Sequence, residues 1–274
     1  MKSCITISLV EEARGGPFVL WDDVARSCQQ AAALGFDAVE IFPPSPAAVT
    51  TIPLTQILAD HGLKLAALGT GAGWVKHRLS LADAAPARRR SAIDFVRSII
   101  DAAGPHGAMT IIGSMQGRSG DGVSTEDARR YLLDALEVCG RHAAQYEVPL
   151  IYEPLNRYET NQANTLGDGV ALLERLGPSP NVRLLADLFH MQIEESDVAA
   201  ALIDAGHRIG HVHFVDSNRR PVGFGHTDFR SIIAALRTIG YAGYLSAETF
   251  PYPDPATAAA QTMLAYRYWT ASPQ

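Results

Sequence analysis

Apolar residues fall along this chain in two alternating patterns. Short runs rich in aliphatic and β-branched residues cover Cys4–Val10, Ala38–Phe42, Lys64–Gly69, Met109–Gly113, Pro149–Glu153, Arg183–Asp187, His211–Val215 and Tyr244–Glu248, and each predicts a strand. Between them apolar residues recur at helical spacing over Trp21–Leu34, Leu54–His61, Pro86–Ala103, Ser124–Tyr146, Leu166–Leu176, Asp197–His207, Asp228–Ile239 and Pro255–Trp269. Gly35, Gly62, Gly104, Gly177 and Gly240 follow five of these segments, where a left-handed residue can stop a helix cheaply. Ser124 and Asp127 have a spacing close to that of a capping box.

Strands alternating with helices imply right-handed crossovers and a parallel sheet. Eight units of roughly 34 residues match a closed (β/α)8 TIM barrel, an α/β fold, as a single domain over residues 1–274. An open doubly wound sheet is the competing architecture, but no G-x-G-x-x-G opens a helix after a strand. The connections that follow strands are long and glycine-rich: Val10–Leu20, Gly69–Pro86, Gly113–Ser124 and Asp216–Thr227. In a barrel these loops gather at the C-terminal mouth of the strands, where active sites are built.

Composition narrows the class further. Hydrophobic residues make up 47% of the 274 and charged residues 19%, which suits a core-forming globular chain rather than a disordered or fibrous one. The formal charge is −6, against a protein that lives on nucleic acid phosphates. Cys4, Cys28 and Cys139 are too few and too widely spaced for a disulfide framework or a C-x-x-C zinc pair. The first apolar run is cut by Glu11 and Glu12, too early for a signal peptide, and no run reaches the roughly 18 apolar residues of a spanning helix. The expectation is a soluble, cytoplasmic protein with neither nucleic acid nor membrane as partner.

Candidate chemistry gathers at the predicted strand ends. Glu153 ends PLIYE, Asp187 ends RLLAD, His213 lies in HVHFVD and Glu248 ends YLSAE. Barrel geometry brings successive strand ends together, so these four should converge on one point. An acid at one strand end is commonly a helix cap or half of an ion pair; four coordinating groups on successive units are not explained that way. Carboxylates with one imidazole suit a single Mn²⁺, Mg²⁺ or Co²⁺ better than a thiolate-seeking metal. Glu159 follows Glu153 by six residues, His190 follows Asp187 by three and Arg219 follows His213 by six.

The segments EPLNRYET (153–160), DLFHMQIEE (187–195), HVHFVDSNR (211–219) with GFGHTDF (223–229), and ETF (248–250) resemble the xylose-isomerase-like barrel superfamily. Within it they are most similar to the ketose 3-epimerases of the D-tagatose or D-psicose type. The matching blocks lie mainly in the second half of the chain. The resemblance implies that Glu153, Asp187, His213 and Glu248 bind one divalent ion per chain, Mn²⁺ first, with Co²⁺ or Mg²⁺ as alternatives. It also implies that Glu153 and Glu248 are the acid/base pair, on opposite faces of a bound sugar. Glu159, His190 and Arg219 would hold substrate oxygens or orient the catalytic glutamate, and the chain would form a homodimer or homotetramer.

The chemistry so implied is proton abstraction beside a metal-polarised ketone through an enediolate. Return of the proton to the other face gives epimerisation; return to the neighbouring carbon gives aldose–ketose isomerisation, of the hydroxypyruvate type for example. Loss of a β-hydroxyl would make the protein a keto-inositol dehydratase. An apurinic endonuclease is a remote alternative, since its three-zinc cluster needs histidines at the ends of strands 3 and 4, which here read LAALGTG and TIIGSMQG. A barrel that only binds is disfavoured by the intact set of ligands. Trp74 is a candidate stacking wall for the sugar. His211 is read evenly as a partner of the metal ligands or a barrel histidine, Glu40 as a cap or ion pair, His226 as a rim residue and Arg88–Arg90 as a solvated charge run. Arg118 could meet a phosphate, although its loop lacks a P-loop ending.

Overall fold

A computed structural model describes residues 1–120, 122–177 and 181–271. Eight parallel strands close into a ring: β1 (Lys2–Ser8), β2 (Ala38–Phe42), β3 (Lys64–Gly69), β4 (Met109–Ile112), β5 (Leu150–Tyr152), β6 (Val182–Asp187), β7 (Ile209–His213) and β8 (Tyr244–Ala247). Each pairs with the next, and β8 returns to β1 through Lys2↔Tyr244 to Ile5↔Ala247. A two-residue strand, Leu20–Trp21, adds to the mouth end of β1 outside the ring. The expected TIM barrel is therefore what the chain forms.

The helices begin where the sequence offers caps. Asp23 accepts from Arg26 N to start Val24–Leu34, and Gly35 (φ 87°) ends it. Ser124 caps Thr125–Ala144, and a full capping box of Thr165 and Asp168 starts Leu166–Leu173. Each lays its apolar stripe on the strands; in Pro86–Ala103 the buried face includes Ala92, Val96, Ile99, Ile100 and Ala103. Leu166–Leu173 stops at Glu174, short of the expected Leu176 and its glycine. Three short helices, Ala47–Thr50, Ala72–Val75 and Leu188–Glu194, have no counterpart in the hydrophobic pattern. One or two turns are too short for a helical period to register. No described helix is long and apolar enough to cross a membrane.

Two strands sit two residues earlier than expected: β1 ends at Ser8 rather than Val10, and β7 ends at His213 rather than Val215. A shift of two keeps every side chain on its expected face, because strand side chains alternate with period two. Inside the ring, Ala67, Ile111, Ile151 and Leu185 form one apolar layer, with Cys4, Ala38 and Ala66 beside it. Nearer the mouth the interior turns polar, with Thr6, Glu40, His211 and His213 all buried. Cys4, Cys28 and Cys139 are buried free thiols, and burial pushes Cys139 up to about 12.

Candidate active site

The mouth of the ring is built by register. Along β6 and β7 the ladder skips between Leu184 and Leu185, which pair with Ile209 and His211, so Gly210 is the extra residue. That irregularity sets Asp187 level with His213; without it Asp187 would face Val212. Glu153 directly follows Tyr152, which pairs with Ile112, and Glu248 stands two residues past Ser246, which pairs with His213. One ligand atom from each of Glu153, Asp187, His213 and Glu248 lies within 4.8 Å of every other. His213 Nδ1 is 3.0 Å from Asp187 Oδ2, 3.4 Å from Glu153 Oε1 and 3.7 Å from Glu248 Oε2.

Buried partners set the charge of each group. Burial opposes a charged imidazole, yet Glu40 and Glu248 outweigh it and raise His213 well above its usual value. Burial likewise opposes a charged Asp187, but His190 and His213 hold it well below the ordinary carboxylate range. Glu153 goes the other way: burial pushes it up to about 7, only partly offset by His213. Glu40 Oε1 is 3.3 Å from His213 Nε2 and its Oε2 is 2.6 Å from His211 Nε2. Burial disfavours the Glu40 carboxylate, but His213 and His211 hold it ionised. It keeps a proton on His213 Nε2, so Nδ1 is the nitrogen free to exchange its proton for a cation.

His190 is fixed in the opposite sense. Its Nδ1 accepts from Asn156 N (3.2 Å) and lies 2.7 Å from Asn156 Nδ2. Those bonds assign the proton to Nε2, which is buried without a protein partner, 4.0 Å from Glu153 Oε1 and 3.8 Å from Asp187 Oδ2. The short helix Leu188–Glu194 carries it there, capped by Asp187 Oδ1, which accepts from Phe189 N and His190 N. One carboxylate thus caps a helix with one oxygen and faces the cluster with the other. Arg219 Nη2 donates to Glu248 Oε2 at 2.7 Å and Nη1 approaches Glu159 Oε1 at 3.6 Å. Its backbone is left-handed (φ 58°), held by Arg219 N to Asp216 O and Phe250 N to Arg219 O, both 2.8 Å.

The donor set fits a divalent cation. Glu153 Oε1 is buried with no hydrogen-bond partner, a costly state for a carboxylate oxygen that an ion would relieve. Opposite ligands of a small divalent ion stand roughly 4 Å apart, so a set already within 4.8 Å needs only slight contraction. Three carboxylates and one imidazole are oxygen-rich, as hard ions prefer. Gly113 belongs to the site as well, since a Cβ there would run into Glu153 Oε2.

The four predicted ligands are brought together, and Glu159, His190 and Arg219 line the same cavity of about 420 Å³ with Glu153 and Glu248. Trp74 does not line that cavity; it borders a neighbouring one. Glu40, read as a cap or ion pair, is an ion pair with both histidines, and His211 is its hydrogen-bonded barrel partner. Asn156 and Asp216 escaped the sequence reading. Asn156 had no signal beyond its place in EPLN, whereas Asp216, next to a glycine-rich loop, could have been flagged as a loop anchor.

A parallel eight-stranded ring with one imidazole and three carboxylates at the ends of successive strands is a TIM barrel with a candidate cation site at its mouth. The chain belongs to the xylose isomerase-like TIM barrel family, whose model matches residues 28–268. It is 35% identical over 222 residues to the L-ribulose 3-epimerase of Mesorhizobium japonicum, covering 79% of this chain and 72% of that protein. The L-ribulose 3-epimerase of Methylomonas sp. is 29% identical over 245 residues, 86% of this chain and 84% of its own. Among solved structures, the D-allulose 3-epimerase from Methylomonas sp. in complex with D-allulose superposes with a TM-score of 0.80 at 25% identity, over 98% of each chain.

Proposed function

We propose that this enzyme is a divalent-metal-dependent ketose 3-epimerase. The observation that carries the reading is the pair Glu153 and Glu248, brought from strand ends three apart in the ring to within 3.4 and 3.7 Å of one imidazole nitrogen. Their surroundings differ: Glu248 is gripped by Arg219 while Glu153 Oε1 has no donor. Two carboxylates in unlike settings can divide the roles of base and acid. One glutamate removes the proton beside the ketone and the other returns a proton to the opposite face, which inverts that carbon. His190 Nε2–H and the Arg219 guanidinium would donate to the oxygens of the enediolate.

Glu153, Asp187, His213 and Glu248 would hold the ion, which supplies Lewis acidity at the carbonyl and the adjacent hydroxyl. Mn²⁺ is the first choice, with Co²⁺ or Mg²⁺ as alternatives. The same reading carries a homodimer or homotetramer and a cytoplasmic location. Family resemblance and epimerase relatives on both sides of the comparison support it.

The test is incubation of the Mn²⁺-loaded protein with a panel of ketoses in D₂O, followed by NMR. Deuterium at C3 together with the C3-inverted ketose is the expected result. Deuterium at C2 of an aldose product would make the protein an isomerase, loss of water would make it a dehydratase, and no incorporation with any ketose would remove the proposal.

A further inference from the structure

A second cavity of about 580 Å³ opens beside the acid-lined pocket. Val75, Ser114 and Glu159 line both, so the two spaces adjoin at Glu159, beside the carboxylate that Arg219 approaches. Trp74 and Tyr158 stand in its walls and expose 41% and 77% of their surface. The Trp74 ring is held by the Arg78 guanidinium 5.6 Å from its centroid. Asp83 and Arg118 supply polar edges, and the Asp83 carboxylate is fixed by Arg88 Nε at 2.7 Å and Ala85 N at 2.9 Å.

These features select a ligand class. Among the described lining residues two acids, Asp83 and Glu159, face one base, Arg118, which leaves no excess positive charge for a phosphate. Aromatic faces next to hydrogen-bonding edges suit a neutral ring that has both an apolar C–H face and hydroxyls. A free ketose is accommodated by the first cavity, which by itself has the size of a small-molecule site, about 300–1,000 Å³. The second then has room for a substituent carried by the reacting sugar.

We propose that this cavity is a subsite for a glycosyl group attached to the ketose, so that the protein binds a glycosyl-ketose more tightly than the free sugar. The proposal rests on the reading of the acid-lined pocket as a ketose site, and it places no chemistry on the second ring.

Calorimetric titration of the Mn²⁺-loaded protein with D-fructose and with lactulose, leucrose and isomaltulose, which carry a glycosyl group on different fructose oxygens, tests it. At least one disaccharide should bind about tenfold tighter than D-fructose. In Tyr158→Ala and in Trp74→Ala the ratio of the two Kd values should fall toward one. Tyr158 is a surface residue, so its variant keeps the fold. Disaccharides that all bind no tighter than D-fructose, or a ratio that neither variant changes, overturn the subsite. So does a dimer, seen by light scattering, that Tyr158→Arg dissociates, since a second copy would then cover the cavity. Deuterium exchange into a free ketose without any disaccharide gain sinks the subsite and leaves the epimerase; a gain without exchange into any ketose does the reverse.

Discussion

The two halves of the ring end in different chemistry. β5 to β8 lead into Glu153, Asp187, His213 and Glu248, while β1 to β4 end in Ser8, Phe42, Gly69 and Ile112. The first half supplies mostly walls: Phe18 in the loop after β1, then Phe42, Thr70 and Gly113 line the cavity, with Glu12 and Arg14 of that loop as its charged groups there, while the buried acid cluster comes from the second half. Its one interior carboxylate, Glu40, lies on β2 and is spent on two histidines that reach across from β7. Reactive groups are thus crowded on one arc and shape is set by the other, an arrangement that lets the substrate-facing loops change without disturbing the acids. Substitutions in the charged arc should therefore act on turnover, and those supporting it from outside should act on ion affinity or folding.

The largest effect is expected at the proposed acid/base pair. Glu153→Gln or Glu248→Gln should lower kcat by at least about 10²-fold, the usual scale of a lost general acid or base. Turnover and ion content measured on the same samples check this; near-normal turnover with the ion retained would strip that glutamate of its role.

Arg219→Ala comes next, with kcat/KM reduced by roughly 10- to 100-fold, the scale of a charged hydrogen bond. A residue that only held substrate would act through KM alone. Because Arg219 donates to Glu248 at 2.7 Å, part of the loss should appear in kcat, and Arg219→Lys should restore part of it. A pure KM effect would separate Arg219 from the glutamate.

Glu40→Gln should weaken Mn²⁺ binding by about 10- to 100-fold, as removal of a partner behind a ligating histidine does, with turnover recovering at saturating metal. Competition with a chelator measures the affinity. An unchanged Kd would reduce Glu40 to a core ion pair.

The contrast between halves also explains what could be read from the sequence. A hydrophobic run that stops at an acid marks a strand end on its own, so Glu153, Asp187 and Glu248 were visible without any tertiary knowledge, and His213 came with the strand before it. The pairing of Glu40 was not, because its partners are 171 and 173 residues away on a strand that is not its neighbour. Only ring closure brings them together. The cavity that Trp74 borders was hidden for a similar reason: the residue sits on the four-residue helix Ala72–Val75, whose direction sets where the indole lies and leaves no trace in hydrophobic spacing. Register was equally hidden, since the extra residue Gly210 that levels Asp187 with His213 reads in sequence as one more glycine.

The smallest expected effect lies at Asp216, which braces a loop. Its carboxylate accepts from Ser217 N at 2.8 Å, Thr227 N at 3.1 Å and Gly223 N at 2.9 Å, and so shapes the loop that presents Arg219. Burial would raise this group, but the backbone donors of Gly223, Thr227 and Ser217 prevail and hold it below its usual value. A carboxylate depressed in the folded state stabilises the fold at pH above its unfolded value, about 3.9, and loses that contribution as pH falls through the folded one. Asp216→Asn should therefore cost about 1–2 kcal/mol at pH 6, and the gap from the parent protein should close as pH falls below about 4. Urea unfolding of both proteins at pH 6 and pH 3 measures it. A gap of equal size at both values would mean that side-chain shape, rather than the ionised carboxylate, holds the loop and through it the guanidinium on Glu248.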